Sequence, residues 1–278
     1  MALVVDGKKL AQEILEEVRS EISAIKKKVR LASVLVGSNS ASISFLKEKE
    51  RACELAGIDF RLYRFPENIT TSQLRARLAE IVHLPQNTGV ILQLPLAEHL
   101  NTQYLLNAIT PQKDVDCLSE GSLGAFIVGR HKILPPPVAA LKFICEKFGI
   151  TTIGKLTVVI GAGRLVGKPI AAWLMQQETN VVSLNEHTKN IGEFTRRADI
   201  IVSGVGQPHI IRPDMVREGV VVFDFGFSKQ DEKIVGDVEF DEVSEKASLI
   251  TPVPGGLGPL TVTFLVKNLL TLASTPKR

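Results

Sequence analysis

Short apolar runs alternate with amphipathic stretches along most of this chain, and that alternation leaves few architectures open. "LASVLVG" (31–37), "DFRLYRF" (59–65) and the start of "GVILQLPL" (89–96) read as strands. "KLTVVIGAG" (155–163), "NVVSLN" (180–185), "ADIIVSGVG" (198–206) and "GVVVFDFGF" (219–227) follow in the second half. Helical periodicity lies between them: Leu10, Ile14, Val18, Ile22 and Ile25 mark one face, residues 71–82 form another helix, and a further one opens near Val166. Strands separated by helices pair in parallel, because the crossover helix covers a face of the sheet. The expected fold class is α/β, with two domains, each a mostly parallel sheet carrying helices on both faces. Prolines in "ILPPPVAALKFICEKFGI" (133–150) stop one element and open a helix, which places a domain junction there. The end, "TPVPGGLGPLTVTFLVKNLLTLA", is a Gly/Pro loop and then a long apolar helix that must pack on something. The expected partition is 1–138 plus 260–278, and 139–259, the latter a Rossmann-type domain.

A net charge of +3, with no arginine-rich stripe, argues against a nucleic-acid partner. The run Lys26-Lys27-Lys28 reads as favourable charge at the C-terminus of the first helix. No apolar run reaches the roughly 18 residues of a membrane span. Cys53, Cys117 and Cys145 lie far apart with no CxxC pair, and the histidines show no metal spacing, so neither a metal site nor a disulfide framework is expected. The N-terminus turns helical at once and lacks a signal-peptide core. A cytoplasmic, soluble protein is expected.

"TVVIGAGRLVGKPIAAWL" (157–174) is strand, tight turn and helix. Its glycines, Gly161, Gly163 and Gly167, are spaced G-x-G-x-x-x-G, one residue longer than the usual dinucleotide fingerprint. Small residues at Gly161, Ala162 and Gly163 let the backbone approach a pyrophosphate, and the following helix N-terminus offers free N–H groups. Glu186 follows the next strand. An acid there accepts hydrogen bonds from the adenosine ribose and repels a phosphate, which suggests NAD. A solvated loop glutamate explains it equally well.

Ligands of open α/β sheets sit beyond the carboxyl ends of the strands. Gln93 follows the strand "GVIL", and Asp114 and Asp116 lie in a Pro-started loop where acids are usually turn formers. Lys49 follows Phe45 by one helical turn, so both share a helix face. On periodicity alone it would be a solvated lysine.

The ordered set "VGSNSAS…K", "QLPL", "P-x-KDVD", "VVIG…VGKP", "ADI…GVGQP", "GDV" and "TPVPGGLGPLT" resembles the methylenetetrahydrofolate dehydrogenase/cyclohydrolase family over nearly the whole chain. The resemblance implies a folate-binding catalytic domain, a Rossmann domain for NADP or sometimes NAD, and a homodimer formed through the latter. It implies oxidation of methylenetetrahydrofolate and then hydrolysis of the methenyl product to formyltetrahydrofolate. Lys49 matches the family's catalytic lysine, Gln93 the glutamine that supports it, and Asp116 the aspartate that binds the pterin. Gly161, Ala162 and Gly163 match the cofactor turn, Phe227 a residue covering the cofactor, and Gly255 and Gly256 substrate-binding residues that line the family's domain cleft.

The chain departs from the family at several of these places. Phe45 replaces a tyrosine. It can stack on the aminobenzoyl part of a folate but cannot hydrogen-bond to Lys49. "DVDG" becomes "DVDC" at Cys117, "PCTP" becomes Pro135-Pro136-Pro137-Val138, and a histidine-serine pair becomes Asn185-Glu186. Hydride loss needs alignment of the reactants, whereas hydrolysis needs proton transfer. Phe45 is therefore expected to weaken the cyclohydrolase more than the dehydrogenase. The alternatives are a paralogue that binds folate or nucleotide without efficient turnover, and a Rossmann enzyme acting on another substrate.

Overall fold

The computed structural model describes residues 2–25, 27–230 and 233–274. Met1, Lys26 of the lysine run and 275–278 of the expected terminal segment lie outside the described residues. In chain order the first elements are β1 (Leu3–Val4), α1 (Gly7–Ala24), β2 (Arg30–Val36), α2 (Ser40–Leu55), β3 (Asp59–Phe65), α3 (Thr71–His83), β4 (Gly89–Leu92), α4 (Thr102–Leu106), α5 (Glu120–Ile127) and α6 (Pro136–Lys147). There follow β5 (Leu156–Ile160), α7 (Gly167–Gln176), β6 (Asn180–Leu184), α8 (Gly192–Thr195), β7 (Ile200–Ser203), β8 (Val221–Asp224), β9 (Ser228–Gln230), β10 (Lys233–Val235), α9 (Phe240–Lys246), β11 (Leu249–Ile250) and α10 (Leu257–Ser274). Two compact units divide the chain: Gln12–Pro136 with Val262–Arg278, and Met1–Ala11 with Pro137–Thr261.

The first unit is built on a parallel sheet of order β3-β2-β4, extended by a single parallel bridge from Val90 to Asp114. From Leu31 to Val36 every residue of β2 is buried, as a strand covered on both faces requires. Ala32, Val34 and Val36 share a core with Leu74, Leu78, Ile81 and Val82 of α3. That helix starts with a capping box, in which the Thr70 hydroxyl accepts from Gln73 N and the Gln73 side chain accepts from Thr70 N.

The terminal helix ends in this unit. The Asn268 amide donates to Val115 O at 2.9 Å and Leu134 O at 2.8 Å, and a Cβ on Gly89 would fall 2.6 Å from Leu269 Cδ1. By length and composition α10 is the one described helix able to cross a membrane, although the sequence alone suggested none. Its Leu265, Val266, Leu269 and Leu270 are buried. Each such side chain contributes about 1.5–3 kcal/mol when removed from water.

The second unit holds a six-stranded parallel sheet of order β1-β11-β8-β7-β5-β6. From β5 the chain moves to β6 on one side and then to β7, β8 and β11 on the other, so the connections reverse between β5 and β7. The pair β9–β10 is a separate antiparallel hairpin.

Two features bear on the sequence expectations. The sequence reading groups residues 1–11 with the folate domain; in the structure β1 pairs with β11, Leu3 against Leu249 and Val4 against Ile250, where it satisfies the open N–H and C=O edge of that strand. A two-residue strand has no periodicity to read. Of the lysine run, Lys26 lies outside the described residues; α1 ends at Ala24 with no basic residue in its last turn, and Lys28 Nζ lies 3.3 Å from Asp59 Oδ2.

Candidate active site

Local chemistry sets Lys49 in place. Gly37, at φ +73°, turns the chain out of β2, and the Asn39 side chain caps α2 by accepting from Ser42 N at 3.0 Å. Lys49 then projects from the middle of α2, half-buried, and its ammonium donates to Gln93 Oε1 at 3.1 Å. Gln93 is held firmly. It follows β4, its backbone N–H donates to Val34 O, its Nε2 donates to Leu94 O at 2.7 Å, and it is only 7% exposed. These bonds leave Oε1 as the face offered to Lys49.

Asp114 and Asp116 divide their work. Asp114 is buried, bridges to Val90 and accepts from Leu118 N and Ser119 N, so it shapes the loop. Asp116 is half-buried and interacts with Lys49. Burial raises its carboxyl above the usual range, the Lys49 charge opposes that, and the Asp114 charge adds to it. Cys117, at φ +57°, is buried, and its thiol is pushed far up by burial and then by Asp114 and Asp116. It therefore stays a thiol at neutral pH. Phe45 is 37% exposed, one turn before Lys49. Lys49, Gln93 and Asp116, from three segments, thus form one cluster in the first unit.

The second unit presents the glycine turn. Gly161 has φ +98°, and a Cβ on Gly167 would lie 1.6 Å from Gly161 O, so the turn closes only with glycine there. A Cβ on Gly163 would meet nothing within 4 Å, and no side chain caps α7 at Val166. An open backbone turn and an uncapped helix N-terminus beside the β5/β7 reversal fit a dinucleotide phosphate. Ala162 is half-buried in this turn.

The remaining sequence-singled residues are also in this unit. Glu186 lies just past β6 with its side chain 85% exposed, 3.7 Å from His187 Nε2. Phe227 is half-buried after β8. Gly255 has φ +107°, and Gly256 abuts the start of α1, where a Cβ on Gly7 would fall 1.8 Å from Gly256 O. Among the described residues no group of three or more His, Cys, Asp or Glu side chains could hold a metal ion.

Sequence reasoning assigned nothing to Asp224, Asp237 and Ser203, all buried at the carboxyl end of this sheet. Their signal was an acid closing the apolar run "VVVFD" and another inside "VGDV".

A parallel sheet with a glycine turn at its strand reversal, accompanied by a partly buried lysine–glutamine–aspartate cluster, defines an α/β protein of the dinucleotide-binding class. Comparison with known proteins sharpens this. The family model for the tetrahydrofolate dehydrogenase/cyclohydrolase NAD(P)-binding domain matches residues 135–277, and that for the catalytic domain matches residues 5–116. The chain is 39% identical over 279 residues to the bifunctional protein FolD of a Nitratiruptor species, spanning 99% of both chains. The crystal structure of the bifunctional FolD methylenetetrahydrofolate dehydrogenase/cyclohydrolase from Campylobacter jejuni superposes with a TM-score of 0.94 at 37% identity, covering 98% of this chain and 99% of that one. The Trypanosoma brucei enzyme, complexed with NADP and an inhibitor, gives a TM-score of 0.93 at 30% identity, covering 98% and 97%. The chain belongs to the tetrahydrofolate dehydrogenase/cyclohydrolase family.

Proposed function

We propose that this protein oxidises methylenetetrahydrofolate to methenyltetrahydrofolate with NAD(P) and hydrolyses the product to formyltetrahydrofolate. The observation that carries the reading is the 3.1 Å hydrogen bond between Lys49 and Gln93. It joins two family motifs from distant parts of the chain beside Asp116. The binding-only paralogue finds no support in relatives that are named bifunctional.

The Gln12–Pro136 unit takes the folate. Asp116 holds the pterin ring through its carboxyl, and Phe45 stacks on the aminobenzoyl part. In the hydrolysis, Lys49 in its neutral amine form takes a proton from the attacking water and returns one to the departing ring nitrogen, while Gln93 fixes the amine in place. Oxidation asks less of the side chains, because a nitrogen lone pair on the substrate drives the hydride out. The Pro137–Thr261 unit takes the dinucleotide. Gly161, Ala162 and Gly163 let the backbone reach its pyrophosphate, the α7 N-terminus supplies positive potential, and Phe227 covers the cofactor, while Gly255 and Gly256 keep the substrate-binding role that the family resemblance implies. The dinucleotide, when bound, accepts the hydride.

NADP is the cofactor of the T. brucei relative. Here Glu186 puts an exposed carboxylate just past β6, which disfavours a ribose phosphate and shifts preference toward NAD. The protein acts as a cytoplasmic homodimer paired through the dinucleotide unit.

The test is to supply methylenetetrahydrofolate with NAD or NADP and follow absorbance, then to supply methenyltetrahydrofolate alone. Both activities are expected, with hydrolysis slower than an ordinary turnover of roughly 10 per second. Absence of both refutes the reading, and a clear NADP preference removes that role from Glu186.

A further inference from the structure

The second unit carries two buried acids that the chemistry above does not use. Asp237 is 0% and Asp224 3% exposed. Each closes a loop at the carboxyl end of the sheet. Asp237 Oδ2 accepts from the Ser203 hydroxyl at 2.7 Å and from Val205 N at 2.8 Å, and its Oδ1 accepts from Gln207 N at 2.9 Å. Asp224 accepts from Gly226 N at 2.7 Å and Val238 N at 3.1 Å. The Ser228 hydroxyl donates to Gly206 O at 2.6 Å and ties the two loops together. The glycines nearby leave room for these carboxylates: a Cβ on Gly226 would lie 2.3 Å from Asp237 Oδ1, and one on Gly236 would lie 2.1 Å from Asp224 Oδ2.

The site of this clasp gives it meaning. Ile160, Ser203 and Asp224, the last residues of β5, β7 and β8, stand in register across the sheet. The sheet reverses its connections between β5 and β7, where a crevice for ligands opens in such folds. One lip is the glycine turn, and the other is the 204–207 loop that Asp237 holds. The lips touch: a Cβ on Gly161 would fall 2.9 Å from Gly204 O, and one on Gly204 would fall 2.7 Å from Val166 Cγ1.

We infer that Asp237 is a positioning residue for the dinucleotide, holding the 203–207 loop at the spacing from the glycine turn that the cofactor requires. It acts through Ser203, Val205 and Gln207 and touches no substrate. The inference rests on the dinucleotide reading of this unit and adds to it the group that sets the shape of the second lip. An asparagine in its place keeps one acceptor oxygen and turns an NH2 group toward a donor, so part of the loop is released.

The test uses the full chain carrying Asp237→Asn, with Ser203→Ala as a second variant that removes one donor and leaves both carboxylates. Three measurements are made: the dinucleotide Kd by calorimetry, hydrolysis of methenyltetrahydrofolate without dinucleotide, and amide hydrogen exchange at Val205 and Gln207 in the ligand-free protein. For Asp237→Asn, Kd and dehydrogenase KM are expected to rise about tenfold or more, with kcat changed less. Hydrolysis should stay within twofold of the unsubstituted chain, and exchange at the two amides should quicken. For Ser203→Ala a twofold to fivefold rise in Kd is expected. If Asp237→Asn fails to fold, the serine variant decides in the same way. Unchanged Kd in the folded variants, or loss of hydrolysis in step with dinucleotide binding, overturns the inference. Failure of the unsubstituted chain to bind either dinucleotide would instead overturn the functional reading.

Discussion

Around Lys49 the candidate groups are side-chain atoms drawn from α2, the end of β4 and the 113–119 loop, whereas around Gly161 they are backbone atoms that glycines leave uncovered. In the first region a charge lies against a buried amide and interacts with a half-buried acid. In the second, the buried acids face inward and shape loops, and little can change without moving the backbone. On the proposed reading, the contrast follows from the chemistry asked of each region. Proton transfer needs a titratable group that can be placed by rotamers, while phosphate binding needs N–H groups that only a particular backbone path presents.

The contrast is sharpest at Lys49. Lys49→Met is expected to lower cyclohydrolase turnover by roughly 10²–10⁴-fold while leaving the dinucleotide Kd within twofold. Rate and titration measurements on one preparation check this, and parallel loss of both would break the distinction between the two regions. In the other region Gly167→Ala places a Cβ 1.6 Å from Gly161 O. Overpacking of this kind costs about 3 kcal/mol, so stability and dinucleotide affinity should fall together. Thermal melts with and without NADP read both.

A third difference concerns pH. Burial first, and then the charge of Asp237, raise the Asp224 carboxyl to about 7, against the opposing N–H groups of Gly226, Asp237 and Val238. An unfolded aspartate titrates near 3.8. Between those values the native chain holds a proton that the unfolded chain has lost, so Asp224 makes stability fall as pH rises, by at most about 1.4 kcal/mol per pH unit. Asp224→Asn should flatten that slope between pH 5 and pH 7 in urea unfolding, and an unaltered slope would show that the acid is ionised throughout. The smallest effect is expected at Phe45, where Phe45→Tyr should raise hydrolysis a few-fold, roughly the effect of one added hydrogen bond of about 1 kcal/mol. No gain in methenyltetrahydrofolate turnover would remove Phe45 as the cause of any weakness there.

The strands were legible because parallel strands buried on both faces read as mostly apolar runs: β2, β4, β5, β7 and β8 are each built on such a run. The glycine turn was legible because Gly161 and Gly167 occupy positions that a Cβ cannot share. The pairing of β1 was not, since two residues carry no period and their partner lies at Leu249–Ile250. Asp224 and Asp237 were also missed in function. An acid within an apolar segment looks alike in sequence whether it caps a loop, binds a ligand or faces water.

By itself the sequence determined the fold class, the glycine turn and, through its ordered motifs, the family. These depend on local periodicity and on residue types that few backbone conformations accept. Only the tertiary structure decided that Lys49 meets Gln93, that Asp114 serves the loop while Asp116 interacts electrostatically with Lys49, and that Asp237 braces the loop beside the glycine turn. Those relations join segments distant along the chain, and hydrogen bonds between such segments depend on folded distances of about 3 Å, which no spacing along the sequence encodes.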